Sequence, residues 1–248
     1  MSGEPGAALD ERRAQLAGRL AEVTARIEAA CAAAGRDPAE ITMIAVTKTW
    51  PVSDVLLLAE LGVTDIGENR DQEAAPKAAA VAAAGVDVRW HFVGRLQRNK
   101  CRSVVRYADM VHSVDSVRLA TALGDAARRA RGRPLDVLVQ VSIDGDPARG
   151  GAVVDSDDPD RGLDAVVETV VKQELLRLAG VMAVAPLDWE PAAAFARLAE
   201  VAARLRADHP QATVVSAGMS GDLEEAIAHG ATHVRVGSAL LGKRNPLR

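Results

Sequence analysis

Ile41–Trp50, ITMIAVTKTW, is an apolar run that ends in a single base, Lys48. Short runs rich in Ile and Val, bounded by polar or turn residues, read as a strand buried on both faces. Lys48 then stands at the C-terminal end of that strand. In a parallel sheet, open or closed, that is the end at which ligands bind. The position makes Lys48 a candidate Schiff-base amine, against the alternative of a lysine that snorkels to solvent from a strand end.

Upstream, Leu16, Leu20, Val23 and Ile27 recur at helical spacing with Arg12, Arg13, Arg19 and Arg26 between them, an amphipathic helix that stops at Gly35, Asp37 and Pro38. Residues 1–8 lie before this stripe and are expected to be disordered. Downstream one unit repeats, a short β-branched run, turn residues and an Ala/Leu-rich helix, with strands at 63–67, 88–94, 110–114, 136–142, 178–184, 213–217 and 233–237. Together with the lysine strand these make eight, and nothing of linker composition divides them. The expected fold class is α/β, a single (β/α)8 TIM barrel over residues 1–248 with an additional N-terminal helix; a doubly wound open sheet is the alternative. Residues 144–161, DGDPARGGAVVDSDDPDR, break the rhythm, and their Gly, Asp and Pro content reads as a long mobile loop placed to gate the barrel mouth.

Composition narrows the function. With 48% hydrophobic residues a sizeable core can be buried, and a formal net charge of −4 argues against coating nucleic acid or a membrane, both anionic. Aromatics make up only 2% of the chain, so the basic clusters at Arg95–Arg106 and Arg128–Arg133 lack a stacking platform for single strands and read as solvated helix faces. No apolar stretch approaches the roughly 20 residues needed to span a bilayer. The N-terminus does not have the pattern of a secretory signal, and a cytoplasmic protein is expected. Cys31 and Cys101 have no metal-ligand spacing, and no metal site is expected. Cys101 stands among cations that could lower its pKa, against the alternative of a surface cysteine without a role.

In a barrel the loops after strands seven and eight are the usual phosphate site. Strand seven runs into Ser216, Ala217, Gly218, Met219 and Ser220, and strand eight into Gly237 and Ser238. Either turn alone reads as helix N-capping. The pair, at the two expected places, reads as an anion cradle. Arg235 lies between two valines of strand eight, so strand alternation points it into the barrel, where a guanidinium needs an acceptor. That acceptor could be a barrel carboxylate such as Glu68 or Asp115, or a ligand. Asn69 follows strand two and His91 lies within strand three; alone, His91 reads as a hydrogen-bonded core histidine.

AVTKTWP from Ala45, GENR from Gly67, WHFVGRLQRNK from Trp90, VHSVDS from Val111, LVQVS from Leu138, GVMAV from Gly180, SAGMSGDLEEAI from Ser216 and VRVGSALLG from Val234 run in order through nearly the whole chain. In these motifs the chain resembles the pyridoxal phosphate homeostasis proteins, which are similar to the N-terminal barrel domain of alanine racemases. The resemblance implies a monomeric barrel carrying pyridoxal 5'-phosphate (PLP) as an internal aldimine on Lys48. The family's phosphate contacts map to Ser216, Gly218, Met219, Ser220, Gly237 and Ser238. Arg235 maps opposite the pyridine nitrogen, Asn69 beside the ring and His91 on the barrel wall below it. It further implies a role in vitamin B6 homeostasis, with PLP-dependent apoenzymes as partners.

An arginine opposite the ring nitrogen cannot protonate it, so the cofactor is a poorer electron sink than one facing an aspartate. Racemases of this lineage also need a second base, a tyrosine from a C-terminal β domain of a partner subunit. Here the chain ends soon after strand eight, and its only tyrosine, Tyr107, falls in a barrel helix. A carrier without robust catalysis and without a catalytic residue of its own is therefore expected. The alternative is a small PLP-dependent racemase-like enzyme acting on amino acids. A cofactor-free aldolase-like Schiff-base barrel and an RNA- or protein-binding module stand behind it. The chain departs from the family pattern at Arg70, where a tyrosine is usual, in the length of the 144–161 segment, and at Arg149, near where a lysine is frequent.

Overall fold

The computed structural model describes residues 5–146 and 149–242. Its strands are β1 (Thr42–Val46), β2 (Asp65–Glu68), β3 (Arg89–Phe92), β4 (Met110–Val114), β5 (Leu135–Ser142), β6 (Ala152–Val153), β7 (Leu176–Met182), β8 (Val214–Ser216) and β9 (His233–Val236). All pairings are parallel, and the order β1-β2-β3-β4-β5-β7-β8-β9 returns to β1 through Thr42–Ala45 against His233–Val236. The sheet is a closed eight-stranded barrel, and the open alternative is excluded. All eight strands read from the sequence are present.

The helices are α1 (Pro5–Ala34), α2 (Val52–Glu60), α3 (Asp71–Ala83), α4 (Cys101–Tyr107), α5 (Val117–Ala130), α6 (Leu163–Lys172), α7 (Pro191–Asp208), α8 (Leu223–Ala228) and α9 (Ser238–Leu241). Outward strand residues such as Val111, Val137, Val139, Val181 and Val215 pack beneath them as the main core. The barrel interior divides in two. Met110, Leu138, Ala179 and Met182 form its apolar side. Buried His91, His112, Ser216 and Arg235 come from β3, β4, β8 and β9.

Two expectations need correction. Residues 5–8 belong to α1, which begins at Pro5; Met1–Glu4 lie outside the described residues. The 144–161 segment contains β6, which adds to β5 at Val141–Ala152 and Ser142–Val153, with Ala152 fully buried. Its end is fastened by charge: Asp160 accepts both Arg118 Nε and Nη2, and Asp158 accepts the amides of Asp160 and Arg161. Apolar content alone did not register those carboxylates as anchors. Pro147 and Ala148 lie outside the described residues.

The additional helix packs along α2, α8 and α9. Leu16, Val23 and Ile27 bury its stripe against a core that includes Leu223, Ile227, Leu240 and Leu241. Arg12 donates to Asp54 on α2 (Nε 3.3 Å, Nη2 2.6 Å) and to the Leu241 carbonyl at 3.1 Å, with its guanidinium 4.6 Å from the Trp50 ring centroid. Truncating Asp54 would leave a mostly buried cation without its carboxylate. Asp54→Ala is expected to lower unfolding stability by roughly 2 kcal/mol in a urea titration, less than for a fully buried pair because Arg12 keeps some solvent contact.

Candidate functional site at the C-terminal end of the barrel

Lys48 stands two residues beyond β1, in a turn closed by the Trp50 amide on the Thr47 carbonyl at 3.0 Å. Its side chain is exposed and, among the described residues, makes no hydrogen bond or ion pair. It is a solvent-facing amine, not the sequestered one its place after a buried strand suggested. The next residue, Thr49, has φ 66°. A β-branched residue in the left-handed region costs on the order of 1–3 kcal/mol, so surrounding contacts must hold it there. Its amide donates to Glu73 Oε2 at 2.9 Å.

Beneath the turn lies a polar cluster that sequence reading missed. Lys77 on α3, nearly fully buried, donates to the Thr47 carbonyl at 2.9 Å and to Glu68 Oε1. Thr47 Oγ1 donates to the same carboxylate oxygen at 2.7 Å. Glu68 therefore serves β1 and α3 rather than Arg235, and its Oε2 has no partner. A lysine at helical spacing among alanines carries no signal of burial; only the position of Glu68 at a strand end hinted at one.

The turns after β8 and β9 converge. Arg235 N donates to the Gly218 carbonyl at 2.9 Å, and Ala239 N donates to Ser220 Oγ at 3.2 Å. Gly218 has φ 86°, and a Cβ there would lie 2.6 Å from that of Ala226, so the turn requires glycine. Met219 is 40% exposed, with its amide on Asp222 Oδ1 at 2.6 Å. Gly237 caps α9, and Ser238, its first residue, is exposed. Since β8, β9 and β1 are neighbours, these turns and Lys48 share one end of the barrel across two strand spacings, roughly 10 Å.

Arg235 points into the barrel as alternation required, and is 5% exposed. Its acceptors are neither Glu68 nor Asp115: Nη1 donates to Ser216 Oγ at 2.7 Å and Nη2 to the Ala183 carbonyl at 2.9 Å. Burial without a contacting carboxylate brings its pKa down to about 10. The Ser216 hydroxyl is thus engaged inside the barrel rather than free in the turn. It also meets His112 Nδ1 at 2.9 Å, and His112 Nε2 lies 2.9 Å from His91 Nδ1. His91, read as a core histidine, is one, with Nε2 at 2.8 Å from Asp65 Oδ1. Burial, then the neighbouring His91 and Arg235, push the His112 pKa well below its usual value, and burial brings His233 down to about 4.

Asn69 stands at the edge of the site, its Oδ1 buried without a donor. It also lines a cavity of about 930 Å³ bordered by Arg70, Arg95, Arg98, Lys100 and Arg118, on the far side of the mouth from β8 and β9. Cys101, expected to feel these cations, is buried, and desolvation outweighs Arg98 to raise its thiol to about 11. Among the described residues no cluster of three His, Cys, Asp or Glu could hold a metal ion. No described helix is long and apolar enough to cross a membrane.

Residues 19–245 match the family model "Alanine racemase, N-terminal domain". The pyridoxal phosphate homeostasis protein of Mycobacterium tuberculosis is 47% identical over 250 residues, covering 96% of each chain. The chain belongs to this family. Its Escherichia coli relative of the same name is 38% identical over 234 residues, covering 93% of this chain and 97% of that protein. PipY of Synechococcus elongatus, solved with PLP bound, superposes with a TM-score of 0.77 at 34% identity, covering 92% of this chain and all of PipY. Alanine racemase from Corynebacterium glutamicum shares the fold alone, with a TM-score of 0.66 at 15% identity over 95% of this chain and 64% of the racemase.

Two stability outcomes follow from the buried groups. Lys77→Met is expected to cost about 3–5 kcal/mol by urea unfolding, because Glu68 is left buried and uncompensated, and adding Glu68→Leu is expected to recover most of it. Unfolded histidine titrates near 6.5, so below that pH the unfolded chain binds protons that folded His112 and His233 refuse. Stability is complete above about pH 6.5 and falls on acidification, His233 losing on the order of 2 kcal/mol by about pH 5 and His112 acting in the same direction. Urea titrations at the two pH values check this, and His233→Gln is expected to remove one share.

Proposed function

We propose that this chain binds PLP between Lys48 and the turns after β8 and β9, and that it holds and hands on the cofactor without robust turnover of its own. The observation that carries the reading is that an amine without a partner among the described residues, a buried guanidinium without a carboxylate among them and two turns hydrogen-bonded to each other stand on three adjacent strands. The residues fit the group. Lys48 has donors without an acceptor, and Asn69 Oδ1 is a buried acceptor without a donor.

When bound, PLP supplies an aldehyde that condenses with amines and a ring that can accept electrons. Lys48 provides the amine for that aldehyde. Gly218, Met219, Ser220, Gly237 and Ser238 provide close-approaching backbone and hydroxyls for the phosphate, while Ser216 acts indirectly by holding Arg235. Arg235 would meet the cofactor ring as a donor only, and so would orient it without feeding it a proton. His91 stands one step behind, through His112.

A carrier role is supported by where the chain's one tyrosine lies. Tyr107 packs edge-on to Trp90 at 6.5 Å between centroids, its hydroxyl 3.5 Å from Asp71 Oδ1, and burial raises its pKa further above the ordinary phenol range. It serves the outer core. On this reading the chain is a monomeric cytoplasmic protein from which PLP-dependent apoenzymes draw cofactor. A racemase-like enzyme remains the second reading, favoured by the shared fold.

Borohydride reduction of protein incubated with PLP, followed by peptide mass spectrometry, is expected to place the pyridoxyl adduct on Lys48 and to find none there in Lys48→Ala. An adduct confined to another lysine would sink the assignment. Incubation with amino acids is expected to yield less than one product per protein molecule; sustained racemisation abolished in Lys48→Ala would favour the enzyme instead.

A further inference from the structure

Asp65, His91, His112, Ser216 and Arg235 are joined end to end by contacts of 2.8, 2.9, 2.9 and 2.7 Å. The line runs the length of the barrel interior. Asp65 opens β2 and borders a cavity of about 650 Å³ at the N-terminal end, where its side chain keeps 16% exposure; Arg235 lies at the other end beside the site. Four of the five residues are buried.

With both imidazoles neutral, the carboxylate end dictates the direction of every proton between Asp65 and Ser216. A guanidinium can only donate, so Ser216 Oγ accepts from Arg235; the hydroxyl keeps its own proton and a second lone pair, and it donates to His112 Nδ1 when that nitrogen is bare, as the carboxylate end requires of two neutral imidazoles. A neutral His112 then carries its proton on Nε2 and donates to His91 Nδ1. His91 donates from Nε2 to Asp65 Oδ1. A carboxylate can only accept, and Asp65 is kept ionised: burial raises its pKa, but hydrogen bonds from His91 and Thr64 prevail and lower it. All four bonds therefore point the same way, from cation to anion, and each polarises the next.

We infer that this one-way chain stabilises Arg235 as a buried cation aimed at the cofactor ring, connecting it to a carboxylate at the opposite end of the barrel, and that His112 is the positioning residue on which it turns. The inference rests on the PLP reading for what Arg235 faces, but not for the direction of the chain. A guanidinium desolvated with only a hydroxyl and a carbonyl as acceptors is costly. Aligned dipoles ending on Asp65 offset that cost while leaving the remaining guanidinium protons for a ligand.

The first test needs no cofactor. In ¹⁵N-resolved NMR of the wild-type protein at neutral pH, His112 is expected to be protonated on Nε2 and bare on Nδ1; a proton on Nδ1 would overturn the chain. The second measures PLP dissociation. His112→Phe and Ser216→Ala are each expected to raise Kd about tenfold, the cost of one hydrogen bond to a charged group. Asp65→Asn, at the opposite end of the barrel, is expected to act in the same direction, and Ser216→Thr, which keeps the hydroxyl, to restore wild-type retention. Folded Ser216→Ala and His112→Phe proteins with Kd within about twofold of wild type would overturn the positioning role. Wild-type protein that binds no PLP would sink the binding reading, while the tautomer still decides the chain.

Discussion

A buried guanidinium with no carboxylate in contact constrains everything around it. Arg235 must sit where strand alternation turns it inward, must find neutral acceptors, and must have negative charge supplied from a distance. Those demands explain why one side of the barrel interior is polar while the other is packed with Met110, Leu138, Ala179 and Met182. An all-apolar filling, ordinary for this architecture, could not hold such a cation.

The same economy of placement organises the rim. Lys48 is presented at the tip of a turn whose left-handed Thr49 is over-determined by Glu73 and by the Thr47–Glu68–Lys77 cluster beneath. Opposite it, Ser220 ties the turns after β8 and β9 together, and α1 braces them from outside through Arg26, which donates to Glu224 and to the Ser220 carbonyl. One amine stays free while nearly every polar group that positions it is committed.

Much of this was legible in advance. β-branched runs alternating with helical stripes specify eight parallel strands, because each unit must bury its apolar face on its neighbours. Lys48 and Arg235 could be singled out as charges at the end and in the middle of apolar strands. The paired small-residue turns were recognisable by their composition. Less legible were residues whose meaning depends on distant neighbours. Ser216 looked like part of a phosphate turn, yet faces inward to Arg235 and His112. Cys101 looked like a surface cysteine beside cations, yet is buried and desolvated. The 144–161 segment looked unstructured, yet carries β6 and is anchored by Asp160 to Arg118 on another element.

By itself, then, the sequence determined the barrel and which end of it gathers Lys48 and the two small-residue turns, since these follow from periodicity and from charge placed in apolar runs. Tertiary structure alone decided which polar groups are spent on one another: His112 with His91 and Ser216, Lys77 with Glu68, Arg235 with a hydroxyl instead of a carboxylate. The reason is physical. Hydrogen bonds and desolvation act over about 3 Å between groups as far as 104 positions apart in the chain, and only closure of the barrel brings those groups within reach.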